Sequence, residues 1–183
     1  MAYPTEWETI FTAKNGTKVS FRPELCTDTE MLWQMFSTLS EETVSNLIPP
    51  FTRERIEGWT SSIDYDEALV VIAVVEEKNT LKIVASASLK FNTVEALTHQ
   101  AELGISVHDD YQNLGIGTAL LNHMLVIAKM KHLKKVWLMV NKENDRAIRL
   151  YRKAGFSVEG TLRKELLVDG AFVDVYRMAF FVE

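Results

Sequence analysis

Cysteine, glycine and proline are scarce in this chain, and long apolar runs are missing. The 183 residues include one Cys, which is Cys26, together with eight Gly and four Pro. One thiol excludes an internal disulfide, and the lack of a cysteine cluster excludes a cysteine-bound zinc site. So little Gly and Pro excludes a collagen-like or low-complexity chain. The longest apolar run, Ala68 to Val75, has eight residues, whereas a helix needs about 20 to span a bilayer.

Charge and targeting signals narrow the class further. The net charge is −5, whereas nucleic-acid-binding surfaces are basic, so we expect no nucleic-acid partner. Met1 to Glu8 lack the basic region and apolar run of a signal peptide. With the unpaired Cys26, this predicts a cytoplasmic protein without membrane association. The sequence leaves a homodimer open. No metal is predicted, because no zinc spacing is formed by the four histidines, His99, His108, His123 and His132.

Hydrophobic periodicity predicts an α/β (α+β) fold. In the second half, helices over Gly115 to Lys131 and Asn144 to Ala154 alternate with strands. We therefore expect one domain over residues 1–183, with a mixed central sheet of about seven strands and helices on both faces. The predicted strands are Thr17 to Arg22, Ala68 to Val75, Leu81 to Phe91, Ala101 to Val107, Val136 to Val140, Phe156 to Glu159 and Phe172 to Phe180, the last after a polar turn at Asp169-Gly170.

The turn between Val107 and the following helix carries the strongest chemical signal. Glycines at the start of a helix let backbone N–H groups approach an anion, and the helix dipole adds positive charge. The alternative is an ordinary tight turn that uses glycine for its geometry. A dinucleotide fingerprint is excluded, because Leu120 takes the place of its third small residue. A P-loop is excluded because Gly117-Thr118 lacks the lysine.

Two segments together resemble the GNAT superfamily of acyl-CoA-dependent N-acyltransferases. The first is Gln112-Asn113-Leu114-Gly115-Ile116-Gly117, which is similar to Gln/Arg-x-x-Gly-x-Gly/Ala. The second runs from Asn144 through Ala147, Leu150 and Tyr151 to Gly155-Phe156. The resemblance implies a GNAT-like domain with an acetyl-CoA-binding core at about residues 101–160. The acceptor-side part, at about residues 1–66, is variable in this family.

The same resemblance implies acetyl-CoA as co-substrate, in a V-shaped split between the Ala101–Val107 and Val136–Val140 strands. The pantetheine arm would pair with the backbone near Val107, whose N–H would stabilise the thioester oxygen. For Asn144, a plain helix N-cap is the alternative. The implied cofactor-binding residues are Ser106, Val107, Gln112, Asn113, Leu114, Gly115, Ile116, Gly117, Thr118, Asn141 and Asn144.

Two residues are implied as catalytic. Tyr151 would act as the general acid that protonates the departing thiolate; the alternative is an aromatic that packs helix against sheet. Glu102 would act as the base that deprotonates the amine, and by strand alternation it shares a face with Gly104 and Ser106. Its alternative is an ion pair that only stabilises the sheet.

The implied function is N-acetyl transfer to a primary amine by direct attack in a ternary complex. We expect a small-molecule acceptor, polyamine or amino-acid-like. One alternative is a protein N-terminal or lysine amine, although Met139 stands where many such enzymes carry a glutamate. Another is a CoA-binding regulatory module without catalysis. The acidic stretches Ser40-Glu41-Glu42 and Asp64 to Glu67 are either attractants for a cationic amine or solvated loops.

Overall fold

The computed structural model describes residues 3–168 and 170–183. Met1, Ala2 and Asp169 lie outside the described residues, so the predicted turn at Asp169-Gly170 is described only at Gly170. The strands are β1 (Thr9–Thr12), β2 (Lys18–Pro23), β3 (Ala68–Glu77), β4 (Thr80–Phe91), β5 (Gln100–Val107), β6 (Lys135–Asn141), β7 (Ser157–Val168) and β8 (Ala171–Phe181). The helices are α1 (Thr29–Ser37), α2 (Glu41–Ser45), α3 (Arg53–Ser61), α4 (Ile116–Met130) and α5 (Asp145–Lys153).

All eight strands form one sheet in the order β1-β2-β3-β4-β5-β6-β8-β7. The mixed α/β class is confirmed, and the strand number is eight where about seven were expected. The additional strand is β1, whose residues are mostly exposed and so show no apolar alternation. Neighbouring strands are antiparallel except β5 and β6, which are parallel. Parallel strands need a crossover connection, and α4 supplies it.

Two apolar cores lie on opposite faces of the sheet. The larger packs α4 and α5 against one face, with Leu120, Met124 and Ile127 fully buried. The smaller packs α1 and α3 against the other face, around Leu32, Ile56 and Ile72. The sheet therefore carries the carboxy-terminal helices α4 and α5 on one face and the amino-terminal helices α1 and α3 on the other.

The carboxy-terminal hairpin is much longer than the sequence indicated. The predicted strand Phe156 to Glu159 ends in fact at Val168, as part of β7. Residues 163–165 are charged and exposed, so no hydrophobic period marks them, and they form an irregularity between Leu162 and Leu166, which pair with Val175 and Val173 of β8. Among residues 3–168 and 170–183, no helix is long and apolar enough to cross a membrane.

Candidate active site

The parallel strands β5 and β6 are paired over only part of their length. Their partners run from Gln100↔Lys135 to Glu102↔Trp137. Beyond Glu102, β5 continues to pair with β4 as far as Val107, and β6 continues to pair with β8 as far as Asn141. The two strands therefore separate toward their carboxyl ends. This opening lies between the two strands for which the family resemblance implied a V-shaped split.

A loop with free backbone donors follows β5 at the open end of the split. No acceptor among the described residues is found for the six consecutive N–H groups of residues 113–118. Asn113 and Gly115 have φ angles of 63° and 87°, a left-handed conformation that lets successive N–H groups converge. Gly115 then caps the amino end of α4. Converging donors and the positive end of a helix dipole suit an anion, so we call residues 113–118 the candidate anion-binding surface.

The β1–β2 turn is docked against this loop. The Lys14 N–H donates to the Leu114 carbonyl at 3.0 Å. A Cβ at Gly115 would lie 3.5 Å from Phe11 Cζ and 3.8 Å from Lys14 Cε. Lys14 thus brings a cationic side chain to the candidate anion-binding surface. Nothing in the sequence signalled it, since about 100 residues separate Lys14 from Gly115.

Val107 presents a free N–H to the split. The next residue, His108, donates its N–H to Val84 of β4 at 2.9 Å. Because successive N–H groups along a strand point in opposite directions, the Val107 N–H points away from β4. The backbone N–H of Ser106 by the same argument points toward β4, and its half-buried side chain lies opposite Ser86.

Gln112 spans the open end of the split. Its Nε2 donates to the Val107 carbonyl at 3.1 Å, and its Oε1 accepts from the Arg146 guanidinium of α5. The side chain therefore links the end of β5 to the first turn of α5. The predicted role of Gln112 concerned only the phosphate loop, whereas the structure also places it between two elements that border the split.

Asn141 and Asn144 lie at the connection from β6 to α5. The Asn144 Oδ1 accepts from the Ala147 N–H at 3.0 Å, which makes Asn144 the N-cap of α5. The Asn141 Oδ1 accepts from the Glu143 N–H at 2.9 Å. Both side-chain carbonyls thus stabilise the turn. Their amide nitrogens face no acceptor in the described part of the chain, so a ligand contact stays a prediction for both residues.

Tyr151 lies near the carboxyl end of α5. It is seven residues beyond Asn144, about 10 Å along the helix axis. The residue is 7% exposed and packs against Phe156 with ring centroids 5.7 Å apart. Its hydroxyl has no hydrogen-bond partner within residues 3–168 and 170–183. Burial raises the pKa of the phenol well above its ordinary value of 10.0, so Tyr151 keeps its proton at neutral pH.

Glu102 lies at the closed end of the split, where β5 and β6 are still paired. It is on the face of the sheet opposite α4 and α5. Leu103 belongs to the core under α4, and strand alternation turns Glu102 away from that core. Glu102 is half-buried and lines a cavity of about 260 Å³ with Lys90 and Trp137. The Arg177 guanidinium lies 4.2 Å from the centre of the Trp137 ring. No ion pair of Glu102 is found in the described ranges, although Lys90 faces it across the strands.

The contact of Asp109 with Ser40 and Thr43 was not predicted from the sequence. Asp109, directly after β5, accepts hydrogen bonds from Ser40 and Thr43, nearly 70 residues earlier. Burial raises the pKa of Asp109, but the hydrogen bonds from the Ser40 N–H and the two hydroxyls outweigh it and lower the pKa to about 2. An acidic residue at a strand end was the only available signal, and such residues are common in turns.

Residues 32–156 match the acetyltransferase (GNAT) family. The match covers more than half of the chain and contains both the loop and α5. The chain belongs to the GNAT acetyltransferase family.

Curated relatives share about half of their length with this chain. Spermidine N(1)-acetyltransferase of Escherichia coli strain K12 is 37% identical over 83 residues, which is 45% of each chain. L-amino acid N-acetyltransferase AaaT of the same strain is 36% identical over 83 residues, 45% of this chain and 51% of the relative. The [ribosomal protein bS18]-alanine N-acetyltransferase of that strain is 36% identical over 75 residues, 40% of this chain and 50% of the relative.

Solved structures of this fold superpose over nearly the whole chain. The ribosomal-protein-S5-alanine acetyltransferase from Vibrio fischeri has a TM-score of 0.80 at 18% identity, covering 96% of this chain and 97% of its own. The GNAT domain of S. lividans PAT has a TM-score of 0.77 at 21% identity, covering 98% and 99%. At these identities the likeness establishes the fold.

Proposed function

We propose that this protein is an N-acetyltransferase that transfers an acetyl group from acetyl-CoA to a primary amine by direct attack in a ternary complex. One observation carries the proposal. The free N–H groups of residues 113–118 lie at the start of α4, beside the separation of β5 from β6. Membership of the GNAT acetyltransferase family supports acetyl transfer as the reaction.

The residues present fit acetyl-CoA as the co-substrate. The converging N–H groups, the α4 dipole and Lys14 suit a pyrophosphate, which requires donors and positive charge. The free Val107 N–H suits a strand-like partner in the split and the thioester oxygen. Acetyl-CoA supplies the activated acyl group, and no metal is part of the proposal.

Glu102 and Tyr151 divide the proton transfers between them. Glu102 accepts the proton of the amine, directly or through water, as the amine nitrogen bonds to the acyl carbon. The carbon–sulfur bond breaks, and the Tyr151 phenol donates its proton to the sulfur, giving CoA thiol and the amide. The raised pKa of Tyr151 keeps the phenol protonated for this step. Exchange with water then restores both residues, so no acyl-enzyme forms.

A small-molecule amine is the proposed acceptor, polyamine or amino-acid-like. Two of the relatives described above are named for such substrates. A protein N-terminal amine is the second candidate, because a third relative is named for a ribosomal protein alanine. Met139 weighs against it, since it lies half-buried on β6 and offers no base. A cytoplasmic location belongs to the same proposal, as Cys26 is an exposed free thiol.

A thiol-release assay tests the proposal. Purified protein with acetyl-CoA is supplied with spermidine, a set of L-amino acids, or a peptide beginning with alanine. We expect thiol release with a small amine that exceeds release with the peptide. Release with the peptide alone would favour the protein-directed alternative. Calorimetric binding of acetyl-CoA without thiol release from any of these would instead favour a regulatory CoA-binding module.

A further inference from the structure

Hydrogen bonds join the residues between α1 and the end of α2 to His108 and Asp109, which follow β5 and precede the loop of residues 113–118. We call residues 38–45 the α2 segment. Ser40 donates its N–H to Asp109 Oδ2 at 2.8 Å and its hydroxyl to Oδ1 at 2.7 Å. Thr43 donates its hydroxyl to the same Oδ1 at 2.6 Å. Thr38 adds a 3.0 Å hydrogen bond with His108 Nε2. One carboxylate thus receives three hydrogen bonds from one short segment.

The α2 segment borders the face of the sheet on which Glu102 lies. Leu39 packs against the smaller core, together with α1 and α3. From there the segment reaches Asp109, two residues beyond the end of β5. Gly104 and Ser106, which share the Glu102 face, precede this point on β5, and Gly104 is exposed. The α2 segment thus meets the chain just beyond Ser106, at the carboxyl-end side of the face that carries Glu102.

The Asp109 carboxylate receives no hydrogen bond from the free donors of the loop. Its oxygens accept from the α2 segment and, at 3.5 Å, from Gln112 Nε2, and none of the free N–H groups of residues 113–118 reaches it. The carboxylate is ionised throughout the neutral range, because its pKa is lowered to about 2. Charge-assisted hydrogen bonds of this kind are the stronger ones in proteins. The shorter hydrogen bonds of the Asp109 carboxylate therefore come from the α2 segment, and a 3.5 Å contact with Gln112 links it to the residues beside the loop.

We propose that Asp109 is a positioning residue that holds the α2 segment in place beside the acceptor face, and so sets the affinity for the amine without setting that for acetyl-CoA. The inference rests on the proposed function for its kinetic consequence. Its structural consequence, an ordered α2 segment, does not depend on turnover.

The experiment compares Asp109→Asn with a matched control, Asp110→Asn. Both variants remove one negative charge from the same turn, but Asp110 is exposed, with 82% of its side chain accessible, and makes no bond to the α2 segment. Amide hydrogen exchange of residues 38–45 and calorimetric affinity for acetyl-CoA are measured on both. Steady-state kinetics use the amine with the highest thiol release. Thr43→Val and the double variant with Asp109→Asn complete a double-mutant cycle.

For Asp109→Asn we expect exchange in residues 38–45 at least about 10-fold faster, an amine KM raised about 10-fold, and kcat and acetyl-CoA affinity within about 2-fold. Asp110→Asn keeps wild-type values. Thr43→Val raises KM in the same direction, and its effect shrinks when Asp109 is already changed. Unchanged exchange, or an equal loss of acetyl-CoA affinity, would overturn the proposal. Should no amine be acetylated, the proposed function fails, while the exchange data still support or overturn the tether.

Discussion

Val107 leaves little room for a side chain at Gly117, where α4 begins: a Cβ on Gly117 would lie 3.3 Å from Val107 Cγ2. The first turn of α4 therefore rests on the last residue of β5. The sequence analysis assigned Gly117 one role, which is to let an anion approach the backbone N–H groups of the loop. The structure adds that a larger residue would push the loop away from the strand that borders the split.

Gly117→Leu tests this contact. The leucine forces the first turn of α4 off Val107 and displaces the donors of residues 113–118. We expect acetyl-CoA affinity to fall at least 10-fold, about 1.4 kcal/mol, by calorimetry on protein whose circular dichroism is unchanged. Gly58→Ala is the control, since a Cβ there meets nothing within 4 Å; it stabilises α3 by up to about 1 kcal/mol and leaves affinity unchanged. Wild-type affinity in folded Gly117→Leu would disprove the assignment of the loop.

Tyr151→Phe separates proton donation from packing. The ring against Phe156 is retained and only the hydroxyl is lost, so we expect kcat to fall roughly 10²-fold with little change in acetyl-CoA affinity. Because burial raises the pKa of Tyr151, its ionisation causes no loss of wild-type kcat between about pH 7 and pH 9. Full kcat in the variant would leave Tyr151 with a packing role alone.

Tyr65→Phe provides the matched comparison for that variant. The Tyr65 hydroxyl donates to the Glu24 carbonyl at 2.6 Å, away from the split. Losing it removes one hydrogen bond, so unfolding in urea should show a loss of about 1 kcal/mol. Turnover should stay at the wild-type value, which distinguishes a stabilising tyrosine from a catalytic one.

Glu102→Gln removes the proposed base and keeps its shape. A lysine-like amine with a pKa near 10.4 is about 0.1% neutral at pH 7, so it gains most from a base at neutral pH. We expect the deficit in kcat/KM to be largest near pH 7 and to shrink toward pH ~10. Since no ion pair of Glu102 is found in the described structure, the melting temperature should stay close to that of wild type. A lowered melting temperature with a pH profile of unchanged shape would contradict the catalytic role.

The buried Glu24 should make the free energy of unfolding depend on pH, independently of catalysis. It is 3% exposed, and burial together with the Asp28 charge raises its pKa from 4.5 to about 7 despite Arg22. A carboxyl held protonated in the fold favours folding below the unfolded pKa. That contribution is lost as pH rises from about 4.5 to about 7, by roughly 3 kcal/mol at most.

Urea unfolding between about pH 5 and pH 8 measures this loss. Glu24→Gln cannot ionise, so its free energy of unfolding should not show the decline that wild type shows across this range. Glu6→Gln, at an exposed position, should retain the wild-type decline. Parallel curves for wild type and Glu24→Gln would show that Glu24 is not the group responsible.

Local sequence signals determined much of this protein. The strand, glycine loop and helix from Ala101 to Lys131 are where the pattern put them within about one residue, because apolar alternation and helical periodicity are local properties. The helix cap at Asn144 was also predictable, since a capping side chain bonds an N–H three residues away. The GNAT family, which the match over residues 32–156 confirms, was predicted from two short motifs, one over residues 112–117 and one over residues 144–156.

Tertiary structure alone decided which distant segments meet. Lys14 bonds to Leu114, 100 residues later, and Ser40 bonds to Asp109, 69 residues later. Hydrophobic periodicity is local and cannot predict such contacts. Strand β1 and the outer half of β7 are edges with mostly exposed side chains, so their backbone pairing, rather than an apolar pattern, makes them strands. The separation of β5 from β6 depends on which neighbours each strand pairs with, β4 and β8, and that choice is made by the assembled sheet.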